Sequence, residues 1–236
     1  MNVAIIPARG GSKRILRKNI KEFCGKPMIA WSIEAALRSG VFDRIIVSTD
    51  DEEIATVARQ YGAEVPFMRP EELSNDFAGT IPVIHHATDW LSNHGCIADF
   101  VCCIYATAPF IHSTDIIRGL EILREQQGEY AFTITRFPYP VQRALKVSAE
   151  QRISMFSPEM FHVRSQDLEE SWHDAGQFYW GTSAAWLNEK PIFSADSYAI
   201  ELPRERVQDI DTPEDWKVAE WLFKAMELKN EYLSAN

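Results

Sequence analysis

Short apolar runs and amphipathic stretches alternate along most of the chain. The first run, residues 3–6, is rich in β-branched residues and ends at Pro7, which is typical of a buried central strand. Helical spacing of apolar residues follows from Lys26 to about Gly40. By the same criteria, the sequence predicts further strands at 44–48, 64–65, 99–105 and 131–135, and further helices from about 50, 80, 113 and 212. We therefore expect an α/β fold, with a parallel sheet covered by helices on both faces.

Polar residues mark the starts of several predicted helices. Asp50, with Glu53 three residues later, has the pattern of an N-cap. The stretch 113–115 favours a cap for a helix that runs to about residue 127. Thr212, followed by Pro213 and by Asp215, predicts the start of a terminal helix that continues to about residue 229.

The regular pattern breaks down between about residues 137 and 173. Prolines punctuate this stretch, and aromatic residues are scattered through it. A long irregular stretch within a compact domain is usually either functional or disordered, and the aromatic content argues against disorder. After it, polar and apolar residues interleave, and strand alternation would put Gln177 and Tyr179 on one face.

Charge is distributed unevenly along the chain. The 236 residues carry a net charge of -10, yet seven of the 24 Lys and Arg residues lie before residue 27. An acidic protein is a poor general binder of nucleic acid, whereas a local basic cluster suits an anionic ligand. We therefore expect neither nucleic acid nor membrane as a partner, since the sequence also lacks an apolar run of about 18 residues.

The four cysteines give no sign of a disulfide framework or of a metal site. They lack Cys-x-x-Cys spacing, and Cys102 and Cys103 lie within an apolar run, where they are expected to be small buried hydrophobic residues. The chain also begins directly with a predicted strand rather than with a signal peptide. We expect a cytoplasmic protein with free thiols.

A basic glycine loop follows the first predicted strand. Arg9, Lys13 and Lys18 surround Gly10 and Gly11, and glycines at the carboxyl end of a strand let backbone N–H groups approach an anion. The loop matches neither the Walker A motif nor the Gly-x-Gly-x-x-Gly fingerprint. Taken alone, a basic glycine loop is more often a solvated turn, but its position at the carboxyl end of a strand favours polyphosphate binding.

A second candidate feature is a pair of carboxylates near the C-terminus. Asp209 and Asp211 flank Ile210, so both would point the same way from an extended chain. Two close carboxylates suit a hard cation such as Mg²⁺. Helix capping could account for Asp211, but it does not explain Asp209.

Several motifs resemble those of one enzyme family. Ala8-Arg-Gly-Gly-Ser-Lys-Arg14, with Lys18-Asn19, resembles the signature loop of the CMP-sugar synthetases, the cytidylyltransferases that activate eight- and nine-carbon acidic sugars. Leu16 stands where family members often have proline. The sequences at 105–109, 164–168 and 174–179 are similar to those of cytidylyltransferases for pseudaminic acid, and they depart from the sialic acid enzymes at Tyr105, Ile111 and Ala175.

This resemblance implies a fold, a reaction and an assembly. The fold would be Rossmann-like and of the nucleotidyltransferase type, with one domain over 1–236 and a protruding dimerisation segment at about 137–173. The reaction would transfer CMP from CTP to an acidic nine-carbon α-keto sugar, most simply pseudaminic acid, and release pyrophosphate. Mg²⁺, or Mn²⁺ in its place, would be the cofactor, and the enzyme would be a homodimer.

The resemblance also implies roles for individual residues. The nucleotide-binding residues would be Ala8, Arg9, Gly10, Gly11, Ser12, Lys13, Asn19, Arg69 and Thr80. The sugar-binding residues would be Tyr105, Thr107, Arg164, Asp174, Gln177 and Tyr179. The catalytic residues would be Arg9, Lys18, Asp209 and Asp211, with the two aspartates as metal ligands. Arg69 alone would pass for a surface arginine, and Arg164 equally suits an ordinary ion pair. The sequence offers no obvious general base.

Other interpretations stay open at this point. N-acetylneuraminic or legionaminic acid could be the sugar instead. The chain could also be a nucleotide-binding regulator that has lost turnover, although Lys18, Asp209 and Asp211 are all present. A glycosyltransferase is less well supported, because its Asp-x-Asp follows a strand midway along the chain rather than lying near the C-terminus.

Overall fold

The first strand, β1, is Asn2–Pro7 and lies inside a six-stranded sheet in the computed structural model, which describes residues 1–234. Its residues 3–6 are completely buried, as a strand covered on both faces requires. It pairs in parallel with β4, Arg44–Ser48, and with β5, Phe100–Ile104. The prediction of a buried central strand is confirmed.

One strand runs against the others. β9, Trp172–Thr182, lies between β5 and β6, Tyr130–Arg136, and is antiparallel to both. β6 pairs in parallel with β10, Ser197–Glu201, so the strand order is β10-β6-β9-β5-β1-β4. Because β9 is reversed, its first residues lie at the edge where the parallel strands have their carboxyl ends.

Helices cover both faces of the sheet, as the sequence predicts. They are α1 (Met28–Ser39), α2 (Glu52–Gln60), α3 (Thr80–Asn93), α4 (Ser113–Gln126), α5 (Ser183–Leu187) and α6 (Pro213–Ser234). α1, α2 and α4 pack on the face that carries Ala4 and Ile6. α3 and α5 pack on the face that carries Val3 and Ile5. Successive side chains of β1 point to opposite faces of the sheet, so they pack into two separate hydrophobic cores.

A third, smaller core ties the loop after β1 to α6. Ile15 from that loop is buried together with Phe23 and Trp216, whose ring centroids lie 5.4 Å apart in edge-to-face geometry. Phe23 belongs to a short hairpin of β2, Glu22–Phe23, and β3, Lys26–Pro27. This core brings the two ends of the chain that carry the predicted site residues together.

The predicted cap of the terminal helix is confirmed. The N–H of Asp215 donates to Thr212 Oγ1 over 3.2 Å, and the N–H of Thr212 donates to Asp215 Oδ2 over 2.7 Å. This reciprocal pair satisfies two backbone donors at the start of α6. It also fixes the backbone directly after Asp211.

Two local predictions are wrong. Asp51, not Asp50, is the N-cap of α2, since Asp51 Oδ1 accepts the N–H groups of Glu53 and Ile54 at 3.0 Å each. Asp50 turns instead toward the loop after β1. The expected strand at 64–65 is reduced to a single bridge between Glu64 and Ile46, because the chain leaves the edge of β4 directly afterwards.

The irregular segment lies outside the main sheet except for its last two residues, Trp172 and His173, which belong to β9. It contains a hairpin of β7, Leu145–Val147, and β8, Ile153–Met155, which pair only with each other. Apolar side chains along it are exposed, among them Val147 at 59% and Ile153 at 68%. Within the described part of the chain, no helix is both long and apolar enough to cross a membrane.

Candidate active site

Three adjoining cavities open at the carboxyl edge of the sheet. The loop cavity, of about 480 Å³, lies between residues 7–19, Asp76, residues 105–107 and Asp211. The acidic cavity, of about 340 Å³, lies between the start of β9 and residues 207–209. The apolar cavity, of about 530 Å³, is lined mainly by residues 79–82 and 191–193. Tyr105 lines all three, so the cavities adjoin one another around its side chain.

The structure brings most of the predicted site residues to these cavities. Arg9, Ser12, Lys13, Lys18, Asn19, Tyr105, Thr107 and Asp211 line the loop cavity. Asp174 and Asp209 line the acidic cavity, and Thr80 and Tyr179 line the apolar cavity. Ala8, Gly10, Gly11, Arg69, Arg164 and Gln177 are not part of these three linings.

Protein contacts hold the basic loop in place. The N–H of Gly10 donates to Asp50 Oδ1 over 2.9 Å, and Asn19 Nδ2 donates to the carbonyl of Arg9 over 2.9 Å. A Cβ on Gly10 would lie 2.7 Å from Asp51 Oδ2, so only glycine allows this approach. The N–H groups of Ala8, Gly10 and Ser12 already have protein acceptors, so these three donors are not free to bind an anion in this conformation.

An ion pair between Arg17 and Asp51 supports the conformation of the basic loop. Both side chains are partly buried, and Arg17 Nη2 donates to Asp51 Oδ1 over 3.0 Å. Arg17 has a φ of +54°, a conformation that an arginine rarely adopts, and the ion pair helps to keep it there. The hydrogen bond from Arg17 is the main reason why the pKa of Asp51 lies below its usual value.

We predict that Asp51→Ala lowers the free energy of unfolding by about 2 kcal/mol at pH 7, since it removes both a helix cap and a partly buried ion-pair partner. A carboxylate with a lowered pKa stabilises the fold above its unfolded-state pKa and loses this effect as the pH falls. The difference between wild type and variant should therefore shrink below about pH 4. Urea unfolding at pH 7 and pH 3 measures it, with Asp196→Asn as the exposed control. An equal difference at both pH values would contradict this linkage.

Acidic side chains already pair with the cations of the loop cavity. Arg9 Nη1 donates to Asp76 Oδ1 over 2.7 Å, and Lys13 pairs with the other oxygen of the same carboxylate. Both contacts lower the pKa of Asp76, and the hydrogen bond from Lys13 has the larger effect. On the opposite wall, Arg14 Nη2 lies 2.7 Å from Asp211 Oδ2. The cavity is therefore bordered by charges of both signs.

Lys18 joins the loop to the carboxylate pair. Its Nζ donates to the carbonyl of Ile210 over 2.7 Å and lies 3.4 Å from Asp211 Oδ1. The third core fixes this geometry, because Ile210 is buried next to Trp216. The two regions that the sequence singles out are thus in direct contact.

The two aspartates of the pair face different cavities. Asp211 lines the loop cavity and Asp209 the acidic cavity. The pKa of Asp209 is raised, first because the surrounding protein partly excludes water from its carboxylate, and second because Asp211 is close. In the described residues no group of three metal-ligating side chains occurs, so a metal ion here would need ligands from a substrate as well.

A hydrogen-bonded group of polar side chains separates the acidic and apolar cavities. Tyr179 donates to Asp174 Oδ2, and the hydroxyl groups of Tyr105 and Thr80 lie 2.7 Å apart. Burial raises the pKa of Tyr105 to about 12, and it also raises the pKa of Tyr179. Both tyrosines therefore stay neutral at physiological pH and can donate hydrogen bonds.

Gln177 does not reach the cavities. Gly176 has a φ of +61°, and the pairing of β9 with β6 shifts register there, so simple alternation fails. Gln177 Nε2 instead donates to the carbonyl of Arg206 over 2.6 Å. Arg206 in turn forms an ion pair with Asp115 over 2.7 Å. The predicted cap at 113–115 is wrong, because the N-cap of α4 is His112, whose side chain makes no capping hydrogen bond. Gln177 supports the segment before Asp209.

Arg69 lies beside a separate opening next to the loop. Its side chain is only 3% exposed, Nε donates to Ser74 Oγ over 3.3 Å, and Nη2 is 3.8 Å from Asp50. Nη2 has no hydrogen-bond partner within the described residues. A buried guanidinium with a free donor is a strong candidate for contact with a polar ligand.

Arg164 lies away from the cavities of its own chain. It is exposed and pairs with Asp167 over 2.7 Å. That contact matches the ordinary ion pair that the sequence also allowed. A role in the site of a second subunit stays a prediction.

Several residues of the site do not stand out in the sequence. Asp50 and Asp76 accept hydrogen bonds from the basic loop, Arg14 pairs with Asp211, and His173 lines the acidic cavity. The excess of acidic residues at 50–53 and 71–76 was a usable signal, because a basic cluster in an acidic protein needs nearby counter-charges.

Comparison with known proteins gives a consistent result. The family model described as cytidylyltransferase matches residues 3–220. The chain is 48% identical over 223 residues to the pseudaminic acid cytidylyltransferase of Campylobacter jejuni, covering 94% of this chain and 96% of that protein. It is 35% identical over 241 residues to the CMP-N,N'-diacetyllegionaminic acid synthase of Legionella pneumophila, covering 98% of each.

A solved structure has the same fold. It is a CMP:2-keto-3-deoxy-manno-octonic acid synthetase complexed with CTP, with a TM-score of 0.69 over 95% of this chain and 99% of that one. At 18% identity this match supports the fold alone. The expected Rossmann-like sheet of the nucleotidyltransferase type is therefore confirmed.

Proposed function

Because the chain belongs to the cytidylyltransferase family, we propose that it transfers CMP from CTP to an acidic nine-carbon α-keto sugar, most simply pseudaminic acid, and releases pyrophosphate. The observation that carries this proposal is the loop cavity. Cations from residues 9–18 line it together with Asp211, at the carboxyl edge of the parallel strands, and Lys18 lies 3.4 Å from that carboxylate. Such an arrangement suits a polyphosphate.

The reaction needs positioning and charge neutralisation more than covalent catalysis. The hydroxyl of the sugar attacks the α-phosphorus, and pyrophosphate leaves. Arg9, Lys13 and Lys18 bind the triphosphate and stabilise the charge that develops on it. For this, the phosphates displace Asp76 from Arg9 and Lys13.

Asp209 and Asp211 would hold Mg²⁺, with Mn²⁺ as a substitute. Two carboxylates fit this ion, which typically binds one or two carboxylates together with substrate phosphates. The raised pKa of Asp209 agrees with this role, because a cation between the two groups would relieve their repulsion. The bound ion would neutralise phosphate charge and act as a Lewis acid.

Arg69 would orient the nucleotide base. Its unpaired Nη2 and the nearby side chains of Ser74 and Asn75 border an opening of about 400 Å³ beside the loop. Asn19 would assist by holding the loop backbone. Thr80 lines the apolar cavity rather than this opening, and its contact with Tyr105 suits the sugar side better.

The apolar cavity supports a deoxy, acylamido sugar. Ile81, Ile192 and Phe193 line it, opposite the polar group formed by Tyr105 and Asp174. Pseudaminic acid ends in a methyl carbon and carries acylamido groups, whereas the chain end of N-acetylneuraminic acid is hydroxylated. Burial of methyl groups is favourable there, and burial of unpaired hydroxyls is costly. Legionaminic acid carries the same kinds of group, and the higher identity to the pseudaminic acid enzyme, 48% against 35%, supports the choice of pseudaminic acid.

The exposed apolar residues of the hairpin support a homodimer through the segment 137–173. We predict that Val147→Lys weakens the dimer at least about tenfold, because a charge replaces a contact that dimerisation would bury. Sedimentation velocity measures this, and Ile97→Lys, at an exposed apolar position outside the segment, is the control. A fully active wild-type monomer would contradict both the dimer and a role for Arg164 in the partner's site.

Pyrophosphate release with CTP and Mg²⁺ tests the proposed reaction. Pseudaminic, legionaminic and N-acetylneuraminic acids are offered in parallel, and the rate should be highest with pseudaminic acid. A higher rate with another acid would overturn the choice of sugar and keep the reaction. CTP binding without turnover on any acid would favour the alternative of a nucleotide-binding regulator.

A further inference from the structure

His173 is a polar residue of the site without a role in the reaction described above. It lies at the start of β9 and lines the acidic cavity together with Asp174 and Asp209. Among the described residues that line the loop, acidic and apolar cavities, it is the only histidine. The attacking hydroxyl must lose a proton, and an imidazole is well suited to accept one near neutral pH.

Two contacts fix the orientation of the His173 ring. Nδ1 lies 2.9 Å from the carbonyl oxygen of Asp174. A carbonyl can only accept a hydrogen bond, so Nδ1 carries the hydrogen, and the neutral ring has its lone pair on Nε2. The ring also packs against Phe137, with the centroids 4.8 Å apart. The ring is thus held with one nitrogen committed and the other free to accept a proton.

We propose that His173 is the general base that accepts the proton of the attacking sugar hydroxyl. This inference rests on the proposed function. The O–H bond breaks and its proton goes to Nε2, while the oxygen forms a bond to the α-phosphorus. The bond from that phosphorus to the bridging oxygen breaks, and its electron pair leaves with pyrophosphate. The imidazolium then returns its proton to solvent, and no redox partner is required.

The charges around His173 favour this role. Asp174 on its own strand and Asp209 on the segment before α6 border the same cavity. On β6, Arg136 stacks on Trp172 and pairs with Glu170, so its charge is already compensated. The charged side chains that line this cavity with His173 are therefore carboxylates, so the group that accepts the proton lies beside acidic rather than basic side chains.

The decisive variant is His173→Asn, whose amide can still donate to the Asp174 carbonyl but cannot accept a proton. We expect kcat for pyrophosphate release to fall about 10²-fold or more, with little change in the KM for CTP. A general base must be unprotonated to act, so the wild-type rate should decline toward acidic pH, and this decline should be absent in the variant. His94→Asn, at an exposed position, is the control. In His173→Gly, added imidazole should restore part of the rate.

His173→Arg separates this role from the main rival, in which a cationic His173 binds the sugar carboxylate. Arginine keeps the charge but cannot act as a base, so the proposal requires a slow enzyme. A rate near that of wild type in His173→Arg, or an unchanged rate and pH profile in His173→Asn, would overturn the proposal while the wild type stays active. Failure of the proposed function looks different, because the wild type itself would then release no pyrophosphate with any of the three acids.

Discussion

Replacing Asp209 with asparagine is expected to lower the rate of pyrophosphate release about 10³-fold at saturating CTP, with a higher requirement for Mg²⁺. The amide is almost the same size but carries no charge, so it is a poor ligand for a hard cation. Among the two aspartates, Asp209 gives the cleaner test. Asp211 also pairs with Arg14 and Lys18, and its loss would rearrange the basic loop.

The stability of the Asp209→Asn variant separates lost chemistry from lost structure. Since the pKa of Asp209 is raised in the folded chain, its charged form is disfavoured, and stability falls as the pH rises through that pKa. In metal-free buffer at pH 7, Asp209→Asn should therefore unfold at the same temperature as wild type or higher. Asp196→Asn, which removes an exposed carboxylate elsewhere, should leave the rate unchanged. A rate near that of wild type for Asp209→Asn would show that the metal ligands are wrongly assigned.

Lys18→Ala is expected to lower kcat/KM for CTP about 10²- to 10³-fold, the usual cost of removing one charge-stabilising donor. Lys18 is the cation that contacts both the Ile210 carbonyl and Asp211, so its loss also weakens the link between the loop and the carboxylate pair. The Mg²⁺ requirement should change less than in Asp209→Asn. Steady-state rates over a range of Mg²⁺ concentrations distinguish the two variants.

A matched substitution controls for net charge. Lys217→Ala removes an exposed lysine from α6 and should leave kcat/KM within about twofold. If Lys18→Ala behaved in the same way, the loop cavity would not be the site of the triphosphate. In that case neither Lys18→Ala nor Lys217→Ala would change the Kd for CTP measured without Mg²⁺.

The parts of the fold that follow from local chemistry could be predicted from the sequence. The β-branched residues of β1 predict a buried strand. Gly40 ends α1 in the left-handed conformation that glycine favours. Thr212, Pro213 and Asp215 specify the start of α6 through contacts within one turn. In each case the residues that decide the structure are neighbours in the chain.

Predictions that depended on tertiary contacts were less successful. Two adjacent aspartates, Asp50 and Asp51, are equally good caps locally, and only the approach of Gly10 draws Asp50 away from the helix. Gln177 looks like a site residue by alternation, but the bulge at Gly176 directs it to Arg206. Neither outcome is visible without the partner segment.

The candidate site follows the same division. Lys18, Asp209 and Asp211 were identified from residue type and spacing, and the structure brings Lys18 and Asp211 within 3.4 Å although 192 residues separate them. Asp76 and His173 were not identified, because a single aspartate or histidine in a loop carries little information. Their significance lies in what they face.

The ion pairs at the rim of the loop cavity mean that Asp76 and Asp211 act as built-in counter-ions. In the proposed reaction, a triphosphate that enters the cavity would take over cations that are already paired, so its binding would be an exchange of anions rather than a simple attraction. Unrelated polyanions gain little from such an exchange unless they also supply the geometry of the nucleotide. The acidic side chains would thus make anion binding more selective. They explain how a protein with a basic loop can avoid binding anions in general.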